Sequence, residues 1–140
     1  MRLVFTLSLL VVALSACARP NYINSLADDA STSETADTNK FPKTSLLARL
    51  QWLTEINTSI PAELLVELQG NLTQFDELTA HLWMPSMGHG SAPLRIDSLS
   101  PAKFHLSRMY FIMPGDWEVR LLLKKDGQVI DQLFIPLMVP

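Results

Sequence analysis

The sequence predicts an all-β domain, about seven short strands in an antiparallel sandwich, behind a disordered tether. Three observations carry that prediction. From about residue 46 onward, apolar and polar side chains alternate in short runs, the period of a half-buried strand. Proline, glycine and asparagine punctuate the runs at regular spacing, where turns need them. No segment of this region sustains an apolar period of the helical kind, which would place apolar residues three and four apart.

The first run sets Leu50, Trp52, Thr54 and Ile56 on one face, with Arg49, Gln51 and Glu55 on the other. Ser59-Ile60-Pro61 breaks it. Residues 64–68 form a second strand, closed by Gly70-Asn71. Residues 78–83 form a third, closed by Pro85, Gly88 and Gly90. Leu94-Arg95-Ile96 is a short fourth, and Ser100-Pro101 turns the chain. Residues 103–112 form a fifth, ended by Pro114-Gly115. In the sixth, Trp117, Val119, Leu121 and Leu123 alternate with Glu118, Arg120 and Lys124. Asp126-Gly127 then joins it to residues 129–137 as a hairpin, the strongest short turn signal of this kind. Trp52, Trp117, Val119 and Leu121 are expected on inner faces. Strands of this length and spacing fit an immunoglobulin-like sandwich, and a domain of this size buries a core without disulfides. None is available within the chain, because Cys17 is the sole cysteine.

The N-terminus is of another kind. Residues 1–16 place Arg2 before an apolar stretch from Leu3 to Leu14, followed by small residues. That is a secretory signal, shorter than the roughly 20 residues of a bilayer span. It ends in Leu14-Ser15-Ala16-Cys17, which resembles the bacterial lipobox at all four positions. The resemblance implies cleavage before Cys17, lipidation of its thiol, and attachment to a membrane through acyl chains that each bury many methylenes. Ala18 stands where an inner-membrane retention signal typically shows Asp. By similarity to Gram-negative lipoproteins, this points to the outer membrane, facing the periplasm, ahead of the inner membrane. Residues 17–45 then comprise the lipidated cysteine and a flexible tether. Asp28, Asp29, Ser31, Thr32, Ser33, Glu34, Thr35, Asp37 and Thr38 dominate it, and such a stretch buries too little to offset its ordering entropy. The sandwich is assigned to residues 46–140.

Formal net charge is −3, and a mildly acidic chain lacks the basic face that nucleic-acid binding needs. One segment carries chemistry of its own. Residues 83–90 read Trp-Met-Pro-Ser-Met-Gly-His-Gly, with two thioethers and an imidazole in an irregular turn. Thioethers are soft, uncharged ligands that suit Cu(I), and they form no disulfides in an oxidising compartment. Imidazole binds either copper state. The segment has no carboxylate for calcium or magnesium, and His81, His89 and His105 are too few and too dispersed for a zinc hydrolase. A second reading stands beside the metal site: Met84 and Met87 cap the core, since methionine fills irregular gaps, and His89 is a solvated loop residue.

Strand parity decides whether more donors join. If residues 94–98 form a strand, Met113 and Met138 fall at the same end as Met84, Met87 and His89, and Met113 is the preferred distal ligand. If they form a loop, Met84, Met87 and His89 act alone. No enzyme is expected. Ser86, Ser91, His89 and Asp97 offer no nucleophile elbow and no well-placed orienting acid, and no glycine-rich phosphate loop is present. His105 is expected at an exposed or edge position.

The run Met84-Pro85-Ser86-Met87-Gly88-His89-Gly90, followed by Tyr110-Phe111-Ile112-Met113-Pro114-Gly115-Asp116-Trp117-Glu118-Val119, resembles the YtkA-like domain, which is related to FixH proteins. The resemblance covers about residues 46 to 138. It implies a small immunoglobulin-like fold on an exported or tethered protein, linked to copper handling or to assembly of copper-containing respiratory oxidases. Partners implied are a membrane, through Cys17, and a copper-handling or oxidase-assembly protein. FixH proteins usually carry a transmembrane helix where this chain has a lipobox. From a different class, the chain also reads as a tethered interaction module that binds no metal and docks an envelope protein by an edge strand or loop.

Overall fold

The computed structural model describes residues 39–140. The signal, Cys17 and nearly all of the expected tether lie outside the described residues. The strands are β1 Leu47–Trp52, β2 Ala62–Gln69, β3 Glu77–Met84, β4 His89–Gly90, β5 Arg95–Ser100, β6 Lys103–Met109, β7 Gly115–Lys125 and β8 Gln128–Val139. They form two antiparallel four-stranded sheets, ordered β1-β2-β6-β5 and β4-β3-β7-β8. Leaving β4 aside and lettering the other strands A to G in chain order gives A-B-E-D facing C-F-G. That is the strand order of an immunoglobulin constant-type domain, with β4 added as a two-residue strand beside β3.

Alternation builds both inner faces. Along β2, Ala62, Leu64, Val66 and Leu68 are buried while the residues between them are half-exposed. Along β7, Trp117, Val119, Leu121 and Leu123 are buried against the facing sheet. Trp52 is half-buried instead of enclosed, its ring 6.5 Å from that of Phe111.

Three boundaries differ from the sequence expectation. The first strand starts earlier and stops at Trp52. Beyond it Thr54 Oγ1 takes the Glu63 N–H, and Asn57 Oδ1 accepts the N–H groups of Ser59 and Ile60. Side chains that bond locally in this way pull the backbone out of a ladder. The fifth strand stops at Met109 and does not reach residue 112. Arg108 sits at φ 57° and the pairing with β2 shifts register there, so residues 110–114 form a loop. The folded region also begins before residue 46. Phe41 and Leu46 are fully buried at the end of the sandwich where β1 starts, with Lys40 bridged to Leu47. A turn through Ser45 returns the chain, its N–H bonded to the Phe41 carbonyl.

Candidate functional site

The β3–β4 hairpin positions the sulfur and imidazole groups. Met84 pairs with His89 across it, and directly opposed residues in an antiparallel pair put their side chains on one face. The four-residue loop closes when the Met87 and Gly88 N–H groups both donate to the Met84 carbonyl, at 3.2 and 2.9 Å. Gly88 supplies the left-handed residue, φ +66°, that such a loop needs. Met84 is 5% exposed and Met87 57%, so one thioether belongs to the core and the other to solvent. His89 is half-buried. Its Nδ1 lies 3.2 Å from the Gly90 carbonyl oxygen. In the tautomer that donates this bond, Nε2 keeps the free lone pair.

The β6–β7 loop meets the hairpin. Since β5 is a strand, the chain reverses as the parity condition requires, and Met113 lies at the same end as Met84. Met113 is half-buried against the core, and its carbonyl accepts the Trp117 Nε1–H at 3.0 Å. Ser91 Oγ donates to the Tyr110 carbonyl, tying the segment after β4 to this loop. Met138 pairs with Asp116 and is exposed at the same end. Met109, not singled out in the sequence, is fully buried there opposite Ala62. Apart from Met1, every methionine of the chain is therefore at one end of the sandwich.

Gly115 makes the approach of the two loops tight. A Cβ at Gly115 would lie 2.8 Å from Met84 Cε, and its φ is +130°. Gly115→Ala is expected to cost about 1–3 kcal/mol and to displace the Met84 methyl. Gly88→Ala meets no atom within 4 Å and should cost less, since it carries backbone strain alone. Urea unfolding of the two variants checks the order; equal costs would show that Met84 does not press on Gly115.

No family model and no curated protein matches this chain.

The remaining histidines lie elsewhere. His105 is on β6, an interior strand and not an edge, with Nε2 2.9 Å from Glu63 Oε2 on the outer face of its sheet. His81 pairs with Arg120 on the outer face of the other sheet. Burial, and then the Arg120 charge, hold its pKa below the usual imidazole value. Arg120 is itself stacked between the rings of Trp83 and Phe134, at 4.7 and 4.8 Å, and bonds Glu118. A cleft of about 330 Å³ opens between β3 and β5, lined by Glu77, Thr79, Ile96 and Phe104 among others, away from the methionine end. Among the described residues, no cluster of three His, Cys, Asp or Glu side chains is placed to hold a metal. The donors gathered at the methionine end are thioethers and one imidazole, a soft set that suits Cu(I) over hard cations.

Proposed function

We propose that the chain is a non-catalytic envelope lipoprotein that holds Cu(I) at the methionine end of its sandwich. Met84, Met87, His89 and Met113 are the ligands. Cys17 carries the lipid anchor, at the outer membrane facing the periplasm. The observation that carries the metal reading is the cross-strand pairing of Met84 with His89, on a hairpin whose Met84 methyl approaches Gly115 at the start of β7 closely enough to leave no room for a Cβ there. Met113, far from these residues in sequence, is half-buried at the same end of the sandwich, and on this reading Met84 would shield a bound ion while Met87 stands on its solvent side. The immunoglobulin-like strand order agrees with the resemblance to YtkA-like and FixH-like domains. On that resemblance the protein delivers copper to a copper-handling or respiratory oxidase-assembly protein.

Titration of Cu(I) against a chromogenic chelator tests this. One ion per chain is expected. Met87→Leu and His89→Ala each remove a ligand from an exposed or half-exposed position, so both should fold normally. Each should weaken binding by roughly tenfold or more, about 1.4 kcal/mol per decade. A chain that leaves all the copper with the chelator, or variants that bind as tightly as the parent, would remove the metal reading. The methionine end would then stand as the docking face of an interaction module.

A further inference from the structure

Among the described residues, the two sheets end at β1 and β5 and at β4 and β8, and an edge strand offers unpaired N–H and C=O groups to another strand. Three of these edges are partly closed within the chain. Beside β1, Lys40 bridges Leu47 and the Ala48 N–H bonds the Asn39 carbonyl. β8 carries Pro136, whose missing donor interrupts pairing along an edge. Beside β3, β4 pairs Trp83 and Met84, and the Ser91 N–H bonds the Leu82 carbonyl. β5 pairs with β6 on one side and, among the described residues, with no strand on the other. Its pairing slips between Ser98 and Ser100, a bulge of the kind that disrupts a ladder. The straight edge is therefore Arg95 to Ser98, with Leu94 leading into it. Ile96 packs against the core, so by alternation Arg95 and Asp97 stand on the outer face. Their side chains are 66% and 40% exposed and pair with each other at 2.9 Å.

We infer that β5 pairs antiparallel with β5 of a second copy, around a two-fold axis at Ile96. The order of charges selects both the occupant and the register. A two-fold axis perpendicular to the sheet keeps the inner faces of both copies on one side, so each residue opposes one that shares its face. The axis must then pass through a residue and not between two. Centred at Ile96, it sets Arg95 of each copy against Asp97 of the other, and Leu94 against Ser98. Centred at Arg95 or at Asp97, it sets that residue against itself, and like charges directly opposed are destabilising. The ion pair within each copy thus joins its twin in a square of alternating sign. An unrelated strand has no reason to carry that matching order, whereas a second copy always does. On the inner face the two Ile96 side chains meet at the axis, beside the cleft between β3 and β5. The chain enters the sandwich beside β1, the opposite edge of the same sheet, so the point of entry leaves β5 clear. An interface built on one short strand is small, and the dimer is expected to be a reversible one.

Sedimentation equilibrium of the full chain tests this, in density-matched detergent with micelles in excess. The mass should pass from that of one chain toward that of two as concentration rises. Arg95→Asp and Asp97→Arg should each weaken association severalfold or more, since each sets like charges against like. Mixed in equal amounts, the two variants should associate again, because one copy then presents only acids at positions 95 and 97 and the other only bases. Neither variant keeps the ion pair within its own chain, so this recovery reads the contact between copies. Both positions are exposed, and urea unfolding confirms that each variant is folded. Amide exchange on the parent is a second readout: the Arg95–Ser98 amides that do not bond β6 should slow with rising concentration, and those at the free edge of β8 should not. A parent that stays a single chain throughout overturns the dimer. If its β5 amides are then protected at every concentration, the edge is held by residues of its own chain; if they are unprotected, it is left to a strand of another protein. Association equal in parent and variants would place the dimer elsewhere, and folded variants that fail to associate when mixed would refute the register.

Discussion

Replacing Trp117 with alanine is expected to cost about 3–5 kcal/mol of folding stability, the range for deleting a large buried aromatic. Trp117 is 1% exposed, on the inner face of β7. Its ring meets Phe111 edge-on at 5.5 Å, and Phe111 in turn reaches Trp52. Alanine would leave a cavity between the sheets where these three rings meet. A second contribution is polar. The indole N–H holds the Met113 carbonyl, so the substitution also frees the loop that carries Met113. Trp117→Phe separates the two effects: it refills much of the volume and abandons the hydrogen bond, and should cost about 1–3 kcal/mol. Urea denaturation at constant slope measures both. A cost below about 1 kcal/mol for the alanine variant would mean that Trp117 does not fill the core. Trp52→Ala should cost less than Trp117→Ala, because Trp52 is half-buried.

The residues that made the fold legible are those whose environment is set by neighbours in sequence. Trp117, Val119, Leu121 and Leu123 alternate without a fault, and the structure buries all four. Asp126-Gly127 announces the β7–β8 hairpin and occupies its turn, both residues at positive φ. Where local bonding or distant packing decides, the sequence is silent. β4 is two residues long and has no period to detect. Arg108 carries no mark of the positive φ that ends β6. Phe41 stands in a polar stretch, and the loop that carries it into the core is bonded to a side chain 88 and 87 residues beyond Lys43 and Thr44. The same division runs through the candidate site. Met84, Met87 and His89 are readable together because one hairpin holds them. Met113 joins them only if β5 is a strand, and β5 is exposed along most of its length, so its pattern is weak. The contact of Met84 with Gly115 is tertiary, and nothing in either local run announces it.

That distant partner of the first loop is Asp131, and its removal should have the second large effect. Asp131 is 1% exposed on β8. Its Oδ2 accepts the Lys43 and Thr44 N–H groups, at 2.9 and 2.6 Å, and the Thr44 hydroxyl at 2.9 Å. Its Oδ1 accepts its neighbour's N–H, that of Gln132. The carboxylate thus supplies the acceptors that two backbone donors of the first loop need, and that loop carries Phe41 and Leu46 into the core. Asp131→Ala strands those donors. Each costs roughly 1–3 kcal/mol when buried, reduced here because water reaches Lys43 and Thr44 in part. The expected loss is about 2–4 kcal/mol. Asp131→Asn should lose less. Its amide oxygen still receives the Lys43 and Thr44 donors, while its NH₂ faces the Gln132 N–H, a donor against a donor. Stability by urea unfolding should therefore rank the parent first, Asn second and Ala last. Amide exchange gives the local readout: the Lys43 and Thr44 amides should exchange faster in Asp131→Ala under conditions where the β7 amides remain protected. An alanine variant as stable as the parent, with those two amides unchanged, would show that Phe41 and Leu46 hold the loop by packing alone and that the carboxylate is dispensable to it.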